Sequence, residues 1–231
     1  MMNCRPRHIL TMVFLFLCCR SAGQDEGYFM EFGIGGGGAF YMGDANTRLY
    51  RNTNGMASLI ARYNVNRRFS LKAGLAAAGI SGDSGNSFGV LPEDRVSFSR
   101  TIYEAGLQAE WGFCGYSMTP WDGCHRIAPY GLAGVGLVFA PKPATDEFAL
   151  CIPVGMGVRY KLSERVNIGA EWTMRFSSSD RLDVTSREGS VLNDPFLISG
   201  KGIKNKDSYG FTMLYITFDM FRRPCDCNEI K

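Results

Sequence analysis

Beyond its first residues the chain never gathers 18 consecutive apolar residues, so no helix drawn from it is apolar over the ~20 residues needed to cross a bilayer. Charge is scarce too, at 20% of 231 residues, and the net +3 belongs to Arg5, Arg7 and Arg20. Past residue 23 acids and bases balance, with no dense Lys/Arg stripe, which excludes nucleic-acid binding. Histidine is limited to His8 and His125. His125 stands beside Cys124 without further ligands at zinc spacing, so neither a metal centre nor a Ser–His hydrolase is expected. The glycines from Gly33 to Gly38 lack the Lys-Ser/Thr and helix of a phosphate loop. Glycine in a strand instead allows bends and close packing. No cofactor and no small-molecule substrate is indicated. The aromatic share of 13% is too high for a disordered chain.

Residues 1–23 read as a secretory signal. Arg5 and Arg7 open it, about 11 largely apolar residues follow from Ile9, and Ser21-Ala22-Gly23 offers small residues for cleavage before Gln24. The run is too short for an anchor. Cys18 and Cys19 follow large residues rather than the small ones that lipoprotein processing prefers.

The remainder is dominated by two-residue alternation. Along Val166–Ser177 the residues Val166, Ile168, Ala170, Trp172, Met174 and Phe176 share one face, opposite Asn167, Gly169, Glu171, Thr173, Arg175 and Ser177. That is a strand with one apolar face. Residues 103–113 repeat it, and weaker copies cover 28–41, 56–64, 69–79, 127–140, 152–161 and 208–221. In 127–140 and 208–221 both faces are largely apolar or glycine, so their phase stays open. Eight strands result, with no helix among them. Most have the ~9–11 residues that cross a membrane rather than the ~5–6 usual in soluble sheets.

The connections alternate in length. Residues 64–68 and 161–165 are tight turns, whereas 43–53, 82–95, 141–150 and 178–207 are long and polar. Short turns on one side and long loops on the other characterise outer-membrane barrels. The polar faces of the strands bring together Glu31, Arg62, Lys72, Glu104, Glu110, Arg159, Glu171 and Arg175. A soluble barrel would turn these charges to water. A membrane barrel would enclose them as a paired lumen network and turn Leu59, Leu107, Trp172 and Met174 to lipid. Tyr63, Tyr103, Trp111, Tyr160 and Trp172 are expected at girdle positions near strand ends.

The expected fold is therefore all-β: an eight-stranded antiparallel transmembrane outer-membrane barrel over 24–221, followed by a periplasmic tail over 222–231. It would lie in the outer membrane of a Gram-negative bacterium, among outer-membrane lipids, with both termini periplasmic. Eight strands enclose room for side chains alone, which excludes a general porin. Balanced acids and bases in the lumen favour a structural plug over acid–base chemistry, so the protein is expected not to be an enzyme.

An odd set of cysteines follows the leader: Cys114, Cys124, Cys151, Cys225 and Cys227. Cys114 and Cys124 bracket one periplasmic loop and are expected to form a disulfide. Cys225 and Cys227, too close for an unstrained mutual bond, are candidate tethers to a periplasmic partner. Cys151 falls at the opposite end of its strand and is expected to pack as a small hydrophobe.

Several segments, in order, carry a family resemblance: Phe40-Tyr41-Met42-Gly43-Asp44, Ala61-Arg62-Tyr63-Asn64-Val65-Asn66, Phe69-Ser70-Leu71-Lys72-Ala73-Gly74, Tyr103-Glu104, and Ala128-Pro129-Tyr130-Gly131-Leu132-Ala133-Gly134-Val135-Gly136. By these the chain resembles the PorG-like outer-membrane proteins of the type IX secretion system of Bacteroidota. The family's acidic Asp-x-x-Asp-Asp segment reads Asp180-Arg181-Leu182-Asp183-Val184 here, one acid short. The resemblance implies a component associated with a periplasmic ring of PorK and PorN and needed for cargo export. The competing expectation is a surface adhesion or recognition barrel acting through the loops 82–95 and 178–207.

Overall fold

A computed structural model describes residues 28–42, 49–83, 97–117, 124–141, 146–178 and 208–222. Ten strands occur there: β1 Tyr28–Met42, β2 Asn54–Asn64, β3 Phe69–Asp83, β4 Ser97–Gly112, β5 Gly115–Tyr116, β6 Cys124–His125, β7 Ile127–Ala140, β8 Glu147–Lys161, β9 Val166–Ser177 and β10 Ser208–Arg222. Eight of them close into one barrel in the order β1-β10-β9-β8-β7-β4-β3-β2, every neighbour antiparallel. The seam is complete: β1 and β10 pair from Tyr28↔Arg222 to Met42↔Ser208. Among the described residues every barrel strand has a partner on both sides, as a strand in hydrocarbon requires.

Alternation decides what faces where. Away from the strand ends, every Asp, Glu, Lys and Arg of the described barrel residues points inward. Ile34, Leu59, Leu75, Leu107, Val135 and Leu214 are among the large apolar side chains exposed outside. An apolar wall around a charged interior inverts the arrangement of a soluble barrel and matches an outer-membrane one.

The tight turns are fixed by local bonds. Val65 N and Asn66 N donate to Phe69 O at 3.0 and 3.1 Å, and Asn66 Oδ1 accepts from the amides of Arg68 and Phe69 at 2.9 and 2.7 Å. Leu162 N and Ser163 N repeat the backbone pattern on Val166 O. These turns and both described chain ends share one end of the barrel.

Several expectations change. β4 starts at Ser97 instead of 103, β3 continues to Asp83, and β8 begins at Glu147, so the expected loop 141–150 shrinks to 141–146. The segment after β4 is not a plain loop, because β5 and β6 form a small parallel pair. Trp172 lies in the middle of β9 rather than at a strand end. The phases left open in β7 and β10 resolve with Tyr130, Leu132, Val138, Tyr209, Phe211, Met213 and Tyr215 buried inside.

Candidate functional site

The lumen is filled in two tiers, and the tier near the turns is ionic. Arg62 of β2 lies at its centre, wholly buried. Its Nε and Nη2 fork onto the two oxygens of Glu110 at 2.8 and 3.2 Å, while Nη1 donates to Glu31 Oε2 at 2.7 Å. Glu31 also accepts from Asn64 Nδ2 at 2.7 Å and Thr217 Oγ1 at 3.0 Å. Lys72 Nζ lies 2.5 Å from Glu171 Oε2 and 3.5 Å from Glu110 Oε1. Arg159 Nη1 is 3.8 Å from Glu110 and 3.9 Å from Glu31, with its guanidinium over the Tyr130 and Tyr116 rings at 5.1 Å. Three carboxylates thus meet three cations at low dielectric, where each is tolerable only because the others are present.

The remaining two of the eight sequence-identified charges stand apart, in the far tier. Arg175 Nε contacts Glu104 at 2.8 and 3.0 Å, Tyr209 Oη donates to Glu104 at 2.7 Å, and the Arg175 guanidinium lies 3.7 Å from the Phe211 ring centroid. Arg175 also donates to Thr173 Oγ1. Around this pair the far tier is apolar: Tyr41, Ile80, Phe98, Ile102, Val138, Cys151, Phe211 and Met213 pack together. Cys151 therefore sits as a buried small hydrophobe. Arg100 covers the tier, donating to the carbonyls of Ala140 and Pro141 at 2.5 and 3.0 Å.

Two tyrosines bar the middle. Tyr130 Oη and Tyr215 Oη are 3.1 Å apart, and Tyr130 also donates to Glu171 Oε2 at 2.9 Å. Each ring lies where a glycine leaves room. A Cβ on Gly157 would come within 2.5 Å of Tyr130, and one on Gly169 within 2.4 Å of Tyr215. With charges on one side of this bar and aromatics on the other, the lumen is occluded.

Sequence reading missed the mouth of the ionic tier. Lys161 Nζ meets Asp219 Oδ2 at 2.5 Å, and Asn167 Nδ2 donates to Asp219 Oδ1 at 2.6 Å. The parity of β8 and β10 already carried that signal, since 159 and 161 share a face, as do 217 and 219. Tyr116 has no such signal. It reaches in from β5 to donate to Asn167 Oδ1 at 2.8 Å, under Lys161 at 5.2 Å. Burial holds its phenol well above the ordinary range, so it stays a protonated donor.

The described residues give the expected Cys114–Cys124 bond no support. The Cys114 thiol is free, with Sγ 4.0 Å from Ile127 O. The β5–β6 register pairs Cys124 with Gly115 instead of Cys114, which sets the two cysteines one residue out of step. Cys225 and Cys227, the leader and Asp180–Val184 lie outside the described residues. His125 is exposed in β6, and among the described residues no group of three or more His, Cys, Asp and Glu is placed to hold a metal ion.

Comparison with known proteins agrees with this architecture. Neisserial surface protein A superposes with a TM-score of 0.50 at 13% identity, over 83% of this chain and 97% of that one. The attachment invasion locus protein Ail of Yersinia pestis, solved with the heparin analogue sucrose octasulfate, gives 0.45 at 13% identity over 83% and 98%. A major outer membrane protein of Thermus thermophilus gives 0.45 at 11% over 82% and 98%. No curated protein matches the sequence. At 13% identity the Neisserial protein speaks for the fold alone, and the other two, below a TM-score of 0.5, add nothing to it. The model of one family, described as a domain of unknown function, DUF6089, matches residues 7–229, and the chain belongs to that family.

Proposed function

We propose that the protein is a sealed membrane anchor: a non-enzymatic outer-membrane component of a type IX-like protein secretion machine. In this reading residues 1–23 direct export, both chain ends face the periplasm, and the terminal end associates with a ring of PorK and PorN. The observation that carries it is the occluded lumen. With Arg62 forked onto Glu110 and Tyr130 meeting Tyr215 across the interior, the described residues leave no open conduit, so the work falls to the ends and the outer wall. The resemblance of the segments around Arg62, Lys72 and Tyr130 supplies the machine.

Affinity capture from detergent-solubilised outer membranes, paired with an assay of cargo export, tests it. The intact chain should bring down PorK and PorN. Deleting 223–231, with Cys225 and Cys227, should weaken both capture and export while the barrel still folds. Absence of PorK and PorN from the intact chain's capture would sink the proposal. The competing reading, surface recognition, draws on the long connection between β9 and β10, which leaves from the end opposite the termini. Shortening 179–207 should abolish attachment under that reading and leave export intact under the first.

A further inference from the structure

The outer wall is uneven. On β8, β9 and β10 bulky side chains such as Met156, Trp172 and Leu214 face outward. Across β2, β3 and β4 the register sets Ala61 and Ala73 in one row with Leu107, and Leu59 and Leu75 in the next with Ala105. The three alanines floor one part of an apolar groove of about 840 Å³ that runs on to Val135, Leu137 and Leu150, and the three leucines, each more than half exposed, wall that part.

The rim next to this groove is basic. β2 and β3 are joined through Arg67 and Arg68, and the backbone of that turn is tied down from the neighbouring segment. Tyr116 N donates to Arg67 O at 3.2 Å and Gly112 N to Arg68 O at 2.6 Å. Arg126, exposed just before β7, belongs to the same rim. Among the described residues of the three connections at this end, Glu164 is the one acid. Tyr63 and Trp111 point outward between groove and rim, about half exposed, as aromatics do at headgroup level.

The spacing fits a lipid. From Leu59 to the turn at Val65 is roughly 20 Å along the strand, about 15 Å of depth once a ~40° tilt is allowed. That is half of the ~30 Å hydrocarbon core. The groove therefore lies near the midplane when Arg67 and Arg68 lie at the phosphates.

We infer that the outer face of β2–β4 is a binding site for an anionic phospholipid, an acyl chain in the groove floored by Ala61, Ala73 and Ala105 and the headgroup phosphate at Arg67 and Arg68. Opposite charge at the rim and hydrocarbon contact along the groove select lipid over a polypeptide. The site rests on the reading of the chain as a membrane-spanning barrel, and needs neither PorK nor PorN.

The test reconstitutes the full chain into phosphatidylcholine bilayers doped with a minority of phosphatidylglycerol, and identifies retained lipids by native mass spectrometry. The ratio of phosphatidylglycerol to phosphatidylcholine among retained lipids should exceed the bulk ratio about thirtyfold, the selectivity that two arginines at a membrane surface supply. Arg67→Gln with Arg68→Gln should return retained lipid to the bulk ratio. Ala73→Phe should fill the groove and reduce retention of either lipid. Ala61→Phe serves if Ala73→Phe does not fold, as judged by the gel shift between heated and unheated barrel. Bulk-ratio lipid on the wild type, or retention unchanged in both kinds of variant, overturns the site. So does a co-eluting polypeptide in place of lipid that Ala73→Phe removes. Failure to insert into the bilayer removes the membrane reading and the site together, whereas insertion without enrichment removes the site alone.

Discussion

Arg62→Leu should cost the barrel roughly 3–5 kcal/mol, the usual penalty for deleting one partner of a buried ion pair. The change leaves Glu31 and Glu110 facing each other with only Arg159, at 3.8–3.9 Å, and Lys72, at 3.5 Å from Glu110, to offset them. Urea unfolding of the folded barrel in detergent reads the loss directly. Adding Glu110→Gln to Arg62→Leu, which leaves Glu31 to Arg159 and Glu171 to Lys72, should recover a large part of it, because the uncompensated charge, more than the missing contact, sets the penalty. Glu164→Gln, in an exposed turn, should stay within about 0.5 kcal/mol of the wild type. Equal stability of Arg62→Leu and wild type would mean that the carboxylates find water or protons instead of Arg62.

A larger loss is expected from Tyr130→Ala combined with Tyr215→Ala. Each truncation empties a site where a large ring is held against a glycine, and removing a buried aromatic costs about 3–5 kcal/mol. The double change also strips Glu171 of its Tyr130 donor. In planar bilayers the wild type should show no steady conductance, and the double variant should show intermittent openings once the bar between the two tiers is gone. Gly169→Val approaches the same place from the other side: its Cβ would meet the Tyr215 ring at 2.4 Å and the Val158 carbonyl at 2.6 Å, so ring and strand must both give, at about 3 kcal/mol. Steady wild-type conductance would contradict an occluded lumen.

The strands legible from sequence are those whose two faces differ in polarity. β9 and the lower part of β4 lie wholly in the zone where the wall is apolar and the lumen charged, so alternation reports them directly. Near the far end the contrast reverses. Phe98 and Ile102 point inward and Ser99 and Thr101 outward, so β4 before residue 103 looks like loop although it is strand. β10 fails for a related reason: its inner face is Tyr209, Phe211, Met213 and Tyr215, as apolar as Leu214 and Ile216 outside. In the site, parity places all eight charges in the lumen, but it does not assign six of them to one network and two to another. That division follows from the stagger between strands, which only the register fixes. Tyr116 and the free Cys114 belong to a segment without period, where sequence distance says little about which atoms meet.

The central claim, that the apolar wall faces hydrocarbon, is tested most directly by the fluorescence of Trp172. With Trp111→Phe and Trp121→Phe, Trp172 is the sole tryptophan, pointing outward from the middle of β9. In vesicles of lipids brominated deep along their acyl chains its emission should be strongly quenched, and aqueous acrylamide should leave it nearly unchanged. Quenching by acrylamide with no response to the brominated chains would place that wall in water and contradict the account.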